Sequence, residues 1–215
     1  MKRQILVLAT ALTAAAPALA DSVLIDDWAF PPGLPLSVAT PSYSGPAGEF
    51  KGLLNGNSFL TYCTDLSQTF HWDTLYTDYS VVSGSTAWGA TKSLALDRAI
   101  SSVTAAGQPT DNVQSATIQA IVWEILYEAP GNPYDFSAGA FTASSGNAGV
   151  QAALNAVNWG ALAATPVTTH VDQLYSRSHQ DFMVLTPVPE PGTYALFAAG
   201  LAAIGYVARR RQRRG

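Results

Sequence analysis

Sulfur is nearly absent from this chain of 215 residues: it has one cysteine, Cys63, and therefore no intramolecular disulfide and no multi-cysteine zinc cluster. Histidine is almost as scarce. His71, His170 and His179 are the three in the chain, and none stands at a metal-ligand spacing from neighbouring carboxylates, so no metal and no cofactor are expected. A glycine-rich phosphate loop is missing, which leaves nucleotide binding without support. Internal repeats of about 20 to 50 residues are missing too, which argues against a solenoid. Charge is thin at 12% of residues, and positive charge is thinnest in the middle. Of eleven Lys and Arg, Lys2 and Arg3 open the chain and Arg209, Arg210, Arg211, Arg213 and Arg214 close it, leaving Lys51, Lys92, Arg98 and Arg177 between. All fifteen acidic residues fall between Asp21 and Glu190, so this body repels phosphate backbones and nucleic-acid binding is excluded. Hydrophobic residues at 48% are enough to offset the entropy of ordering, which excludes a disordered acidic chain.

What is present at the two ends reads as addressing. Lys2 and Arg3 precede a largely apolar, uncharged run over residues 5–16, and Ala18, Leu19 and Ala20 supply the small residues that a signal peptidase reads. Residues 1–20 are therefore expected to be a signal peptide, with a mature chain starting near Asp21 outside the cytoplasm. At the other end residues 193–208 form sixteen positions without a charge, followed at once by the arginine-rich tail. That is short for a spanning helix, which usually takes about 20 residues. Snorkelling arginines and local thinning close the gap, and the arginines hold their flank in the cytoplasm as a membrane stop.

Directly before this run stands Val188-Pro189-Glu190-Pro191-Gly192-Thr193. A Pro-Glu-Pro triplet, a short apolar helix and an arginine-rich end, in that order at the C-terminus, resemble the PEP-CTERM sorting signal of exported proteins of Gram-negative bacteria. The resemblance implies recognition by a membrane-embedded exosortase and transient anchoring in the inner membrane. It further implies cleavage near Pro189, Glu190 and Pro191 and release of the body to the cell surface or matrix, in bacteria that make exopolysaccharide and biofilm. The two prolines suit such processing, because they keep the segment extended and out of the following helix.

Residues 21–186 are expected to form one exported domain. The first half reads as strands: residues 22–25, then 49–54 and 58–64 around the hairpin turn Asn55-Gly56-Asn57, then 76–82. The second half reads as helices over residues 91–105, from an Asp111 cap to Tyr127, and over 148–158. Residues 131–147 read as a loop, 167–175 stay ambiguous, and 182–185 read as a closing strand. Residues 118–127 are apolar on nearly every face, which marks the core helix. The expectation is an α+β fold, a β-sandwich-like sheet with inserted helices.

A lone thiol outside the cell is prone to oxidation and needs an explanation. It stands in Leu60-Thr61-Tyr62-Cys63-Thr64-Asp65, and the core helix holds Gln119 with Trp123 four residues on. An aromatic-Cys strand followed by a helix with Gln and then Trp resembles the thioester domains of bacterial surface adhesins. The resemblance implies that Cys63 supplies the sulfur and Gln119 the acyl carbon of an internal thioester, with Tyr62 and Trp123 packed around it to exclude water. Ile118 and Ile121 depart from the residues usual in that family. The other readings of the pair are an inert buried cysteine and a hydrogen-bonded helix glutamine.

Other groups offer weaker chemistry. Cys63 with His71, His170 or His179 as base would make a cysteine hydrolase, but no nucleophile motif surrounds Cys63. Glu124 and Glu128, one turn apart, are expected on a solvated face rather than as paired glycosidase carboxylates. Tyr62, Trp72, Tyr76, Tyr79 and Trp88 crowd together and are expected mainly in the core, a sugar-stacking surface being the alternative. Taken together the chain reads as an exported surface or matrix protein without turnover catalysis. Its expected partners are signal peptidase, exosortase and an exopolysaccharide or surface nucleophile, and a non-covalent glycan-binding module is the alternative.

Overall fold

The computed structural model describes residues 20–188 together with 196, 197, 199–202 and 204. The expected signal peptide (but for Ala20), Pro189, Glu190, Pro191 and the five C-terminal arginines lie outside the described residues. Within the expected membrane helix, the described positions are helical, and Leu196, Phe197, Leu201 and Ile204 are exposed. Among the described residues no helix is long and apolar enough to cross a membrane.

Strands come first along the chain: β1 (Asp21–Trp28), β2 (Leu34–Val38), β3 (Tyr43–Ala47), β4 (Phe50–Leu54), β5 (Asn57–Thr61) and β6 (Leu75–Val82). Helices α1 (Gly84–Trp88), α2 (Ala90–Ala105) and α3 (Asn112–Tyr127) follow, then β7 (Ala143–Ser144), α4 (Ala148–Asn155), α5 (Trp159–Ala164), β8 (Thr169–Tyr175) and β9 (Phe182–Pro187). The fold is α+β. Six strands pair antiparallel in the order β5-β4-β1-β6-β8-β9, and β3-β2-β7 form a second, smaller sheet.

The large sheet differs from the expected sandwich layer because it curls until its two edges almost meet. Where β5 runs out, Cys63 bridges Phe182 in antiparallel pairing, the Met183 amide donates to the Tyr62 carbonyl (3.2 Å), and the Thr64 amide donates to the Asp181 carbonyl (2.9 Å). Beside this seam the Thr61 hydroxyl takes over the ladder, donating to the Met183 carbonyl (2.7 Å) and accepting from the Met183 amide (3.1 Å). Closure removes the exposed edges that an open sheet would present.

Local chemistry accounts for the elements nearest the seam. Asn55 and Gly56 both take positive φ (52° and 77°), the two-residue turn that matches strand twist and joins β4 to β5. Asp111 caps α3 by accepting from the Gln114 amide (2.8 Å). Every residue of α3 from Ser115 to Ile125 is buried, so this helix is the centre of the core, in contact with α2, α4, β2 and β3. It delivers Gln119 and Trp123 from one side to the seam that holds Cys63.

Candidate functional site

The seam and the core helix bring together the two residues that the sequence singled out. The Cys63 amide donates to Gln119 Oε1 and Gln119 Nε2 donates to the Cys63 carbonyl, both at 2.9 Å across 56 positions of sequence. The carboxamide thus stands in for a strand partner at the point where β5 ends, and both of its polar atoms are satisfied despite 1% exposure. Gln119 meets the backbone of Cys63, and its acyl oxygen is already polarised by a backbone N–H. Burial pushes the Cys63 thiol far above its ordinary range, and the charge of Asp65 adds to the shift, so the sulfur is held as a neutral thiol.

The pair forms part of the wall of a cleft of about 270 Å3. Aromatic rings make the rest of it: Trp28 stacks on Phe50 at 4.4 Å, Phe70 meets Trp72 at 4.9 Å, and Tyr43 meets Trp123 edge-on at 5.2 Å. Burial and the neighbouring Cys63 push Tyr43 up to about 12, so its hydroxyl stays protonated, donating to the Pro46 carbonyl (2.6 Å). Two polar atoms on the cleft wall have no partner among the described residues, the Trp123 indole N–H and Gln68 Oε1. The arrangement combines a sulfur, a polarised carboxamide and a mostly apolar approach from outside.

Trp123 lines the cleft together with Cys63 and Gln119. Tyr62 is fully buried but does not line the cleft; burial, with the charge of Glu49 added, pushes its hydroxyl well above the ordinary range. Trp28, Tyr43, Phe70 and Asp65 were not singled out by sequence. They reach the cleft from segments with no periodic pattern, so their convergence is a property of the closed sheet. The histidines lie elsewhere in the bonding pattern: His170 Nδ1 pairs with Asp97 (2.8 Å), His179 Nδ1 with Asp78 (3.2 Å), and the His71 amide with the Tyr76 hydroxyl (2.9 Å). The Ser176 hydroxyl donates to Asp78 Oδ2, and His179 meets both Ser176 and Asp78 through its Nδ1, so no serine-to-base relay through the far ring nitrogen is formed. Among the described residues no group of three or more His, Cys, Asp or Glu is arranged to hold a metal.

One expectation changes. Glu124 and Glu128 do not line a solvated face; they are 0% and 1% exposed because the loop after α3 folds back over them. Glu128 accepts from the amides of Ala129, Ala140 and Phe141 and from Asn132, which hold its carboxyl down at about 2. Glu124 has one backbone partner, the Asp135 amide, and burial pushes it up to about 7. The crowded aromatics lie mainly in or against the core: Tyr62 and Tyr79 are buried, Tyr76 and Trp88 are half-buried against it, and Trp72 is exposed at the rim of the cleft. They form no common outer surface.

Compared as a whole with curated proteins and with solved structures, the chain finds no match. The family model for the PEP-CTERM protein-sorting motif matches residues 187–214, beginning at the last residue of β9. The chain thus carries a PEP-CTERM protein-sorting motif, which supports an exported protein sorted by an exosortase.

Proposed function

We propose that the exported body is a surface or matrix component that attaches covalently through an internal thioester between Cys63 and Gln119. The observation that carries this reading is the reciprocal pair of 2.9 Å hydrogen bonds that fixes the Gln119 carboxamide on Cys63 in the wall of an aromatic cleft. In the forming step the Cys63 sulfur bonds to the Gln119 acyl carbon, the carbon–nitrogen bond breaks, and the nitrogen leaves as ammonia with the thiol proton. The Cys63 N–H, aimed at the acyl oxygen, supports the negative charge that develops there. Rigid placement supplies the proximity such a reaction needs, and the ring-lined wall limits hydrolysis. A primary amine on a neighbouring surface then takes the acyl group and the thiol is restored. The bond is consumed once, so the protein is an attachment device rather than an enzyme.

Intact mass of the secreted body tests this. The wild type is expected one ammonia lighter than its sequence and to gain one methylamine on incubation; Cys63→Ala and Gln119→Ala are expected at full mass with no methylamine adduct. A wild-type mass equal to the sequence, with Cys63 alkylated after unfolding, rules the thioester out and leaves the sorting assignment untouched.

A further inference from the structure

A second and larger cleft, of about 740 Å3, opens on the opposite chemistry: hydroxyls, amides and three rings, with no sulfur and no cation in its lining. One wall is the outer face of the small sheet, where Ser37 and Ser144 stand opposite each other in register and are both exposed. The other wall is aromatic. Trp159, at the start of α5, packs on Tyr134 at 5.4 Å and on Phe136 at 5.2 Å; Phe136 is buried, so the half-buried indole is held on a fixed base.

The polar groups between these walls are oriented from behind. The Ser145 amide donates to Gln151 Oε1 (2.8 Å) and Gln151 Nε2 donates to Asn155 Oδ1 (3.0 Å), which leaves the Asn155 amide N–H groups as unspent donors at the cleft. Asp135 Oδ1 takes the amide and hydroxyl of Ser137 (2.8 Å each), which leaves Oδ2 as an unspent acceptor. A pre-set donor, a pre-set acceptor and a ring face match a pyranose: its C–H face lies on an aromatic ring while adjacent hydroxyls both give and receive hydrogen bonds. The size and mixed polarity are those of a small-ligand site rather than of a packing defect.

We propose that this cleft binds an uncharged glycan. Charge selects against the anionic alternatives. Among the described residues, Asp135, held below its ordinary range by Ser137, is the one ionised group of the lining, and no Lys or Arg lines the cleft to accept a uronate, sulfate or phosphate. The site shares no lining residue with the Cys63–Gln119 cleft, so it stands or falls independently of the thioester.

Native affinity electrophoresis of the exported protein through gels containing dextran, a β-glucan or a mannan, with alginate as the polyanionic control, tests the assignment. At least one neutral polysaccharide is expected to retard the protein. The dissociation constant is expected to rise at least about tenfold in both Trp159→Ala and Asn155→Ala, and to stay unchanged in Cys63→Ala. Asn155 is exposed, so its variant keeps the test valid even if loss of the indole perturbs α5. Absence of retardation by all three neutral polymers overturns the proposal. So does retardation that survives Asn155→Ala, or retardation by alginate equal to that by the neutral polymers.

Discussion

Glu124 and Glu128 are the same residue type one helical turn apart, and their surroundings give them opposite energetic signs. Four donors converge on Glu128 and hold it as a carboxylate at about 2. An amide in its place would turn N–H groups toward N–H groups, and bonds to a charged acceptor are worth about 1.5–3 kcal/mol each before compensation. Glu128→Gln is therefore expected to lose on the order of 3 kcal/mol at pH 7, read as a lower urea midpoint. Glu124 has one oxygen bonded and the other, Oε2, without a partner among the described residues. Glu124→Gln keeps an acceptor for the Asp135 amide and removes a charge that burial opposes, so at pH 8 the same measurement is expected to show no loss or a gain. Gly139 belongs to the same construction. Its φ of +105° suits glycine, and a Cβ there would run into the Glu128 carboxylate, so Gly139→Ala is expected to cost about 2 kcal/mol or more. Loss in Glu124→Gln equal to that in Glu128→Gln would refute this division of roles.

At the scale of elements, legibility follows how local the stabilising interaction is. The start of α3 was readable because Asp111 bonds three residues ahead, and the β4–β5 hairpin because Asn55 and Gly56 supply their own turn. Asp111→Ala is expected to cost about 1 kcal/mol, the usual worth of an N-cap; an unchanged urea midpoint would mean that the buried body of α3 sets its start without the cap. β2 and β3 were not readable. Pro35 and Pro46 break strand propensity, yet they face each other in register, and β3 meets β2 while Tyr43 packs on Trp123. The segment after Ala148, expected as one helix to residue 158, ends as a helix at Asn155, and a separate helix α5 starts after Asn158, whose side chain caps it through the Ala161 amide (3.0 Å). That asparagine was the available signal. β8 stayed ambiguous because Gln173 breaks the alternation that Thr169, His170, Val171 and Asp172 begin; Asp97 on α2 holds it by accepting from the Val171 amide (2.8 Å) and pairing with His170. The Cys63–Gln119 contact was legible as a pairing, whereas the cleft around it and the Trp159 cleft depend on loops folding over helices.

For the molecule as a whole, the buried carboxyls set how stability depends on pH. Burial raises Glu49 to about 7, Glu124 to about 7 and Asp181 to about 6, while bonding lowers Glu128 to about 2. A carboxyl whose folded value lies above its unfolded value binds its proton more tightly in the native state, so its contribution is fully present below the unfolded value and fades as pH rises through the folded one. For Glu49, Glu124 and Asp181 that window runs from about pH 4 to about pH 7. Glu128 acts the other way: its contribution is present above its unfolded value and is lost as pH falls toward about 2. The two slopes meet between pH 4 and 5. Asp181 lies at the closing seam, where its carboxylate holds the Ser176 amide (2.7 Å) and Gln173 (2.8 Å) and its carbonyl accepts from Thr64, so part of this pH dependence acts on the junction beside Cys63. Urea unfolding across pH 3 to 8 is expected to give a stability that peaks in mild acid and declines toward pH 8, by on the order of 3 kcal/mol for each of Glu49 and Glu124. The double variant Glu49→Gln, Glu124→Gln is expected to flatten the alkaline side and leave the acid side intact, since Glu128 is unchanged in it. A midpoint that rises steadily from pH 5 to 8 would mean that these carboxyls are ionised in the folded state with partners supplied by water, and that the closed sheet admits solvent to its core.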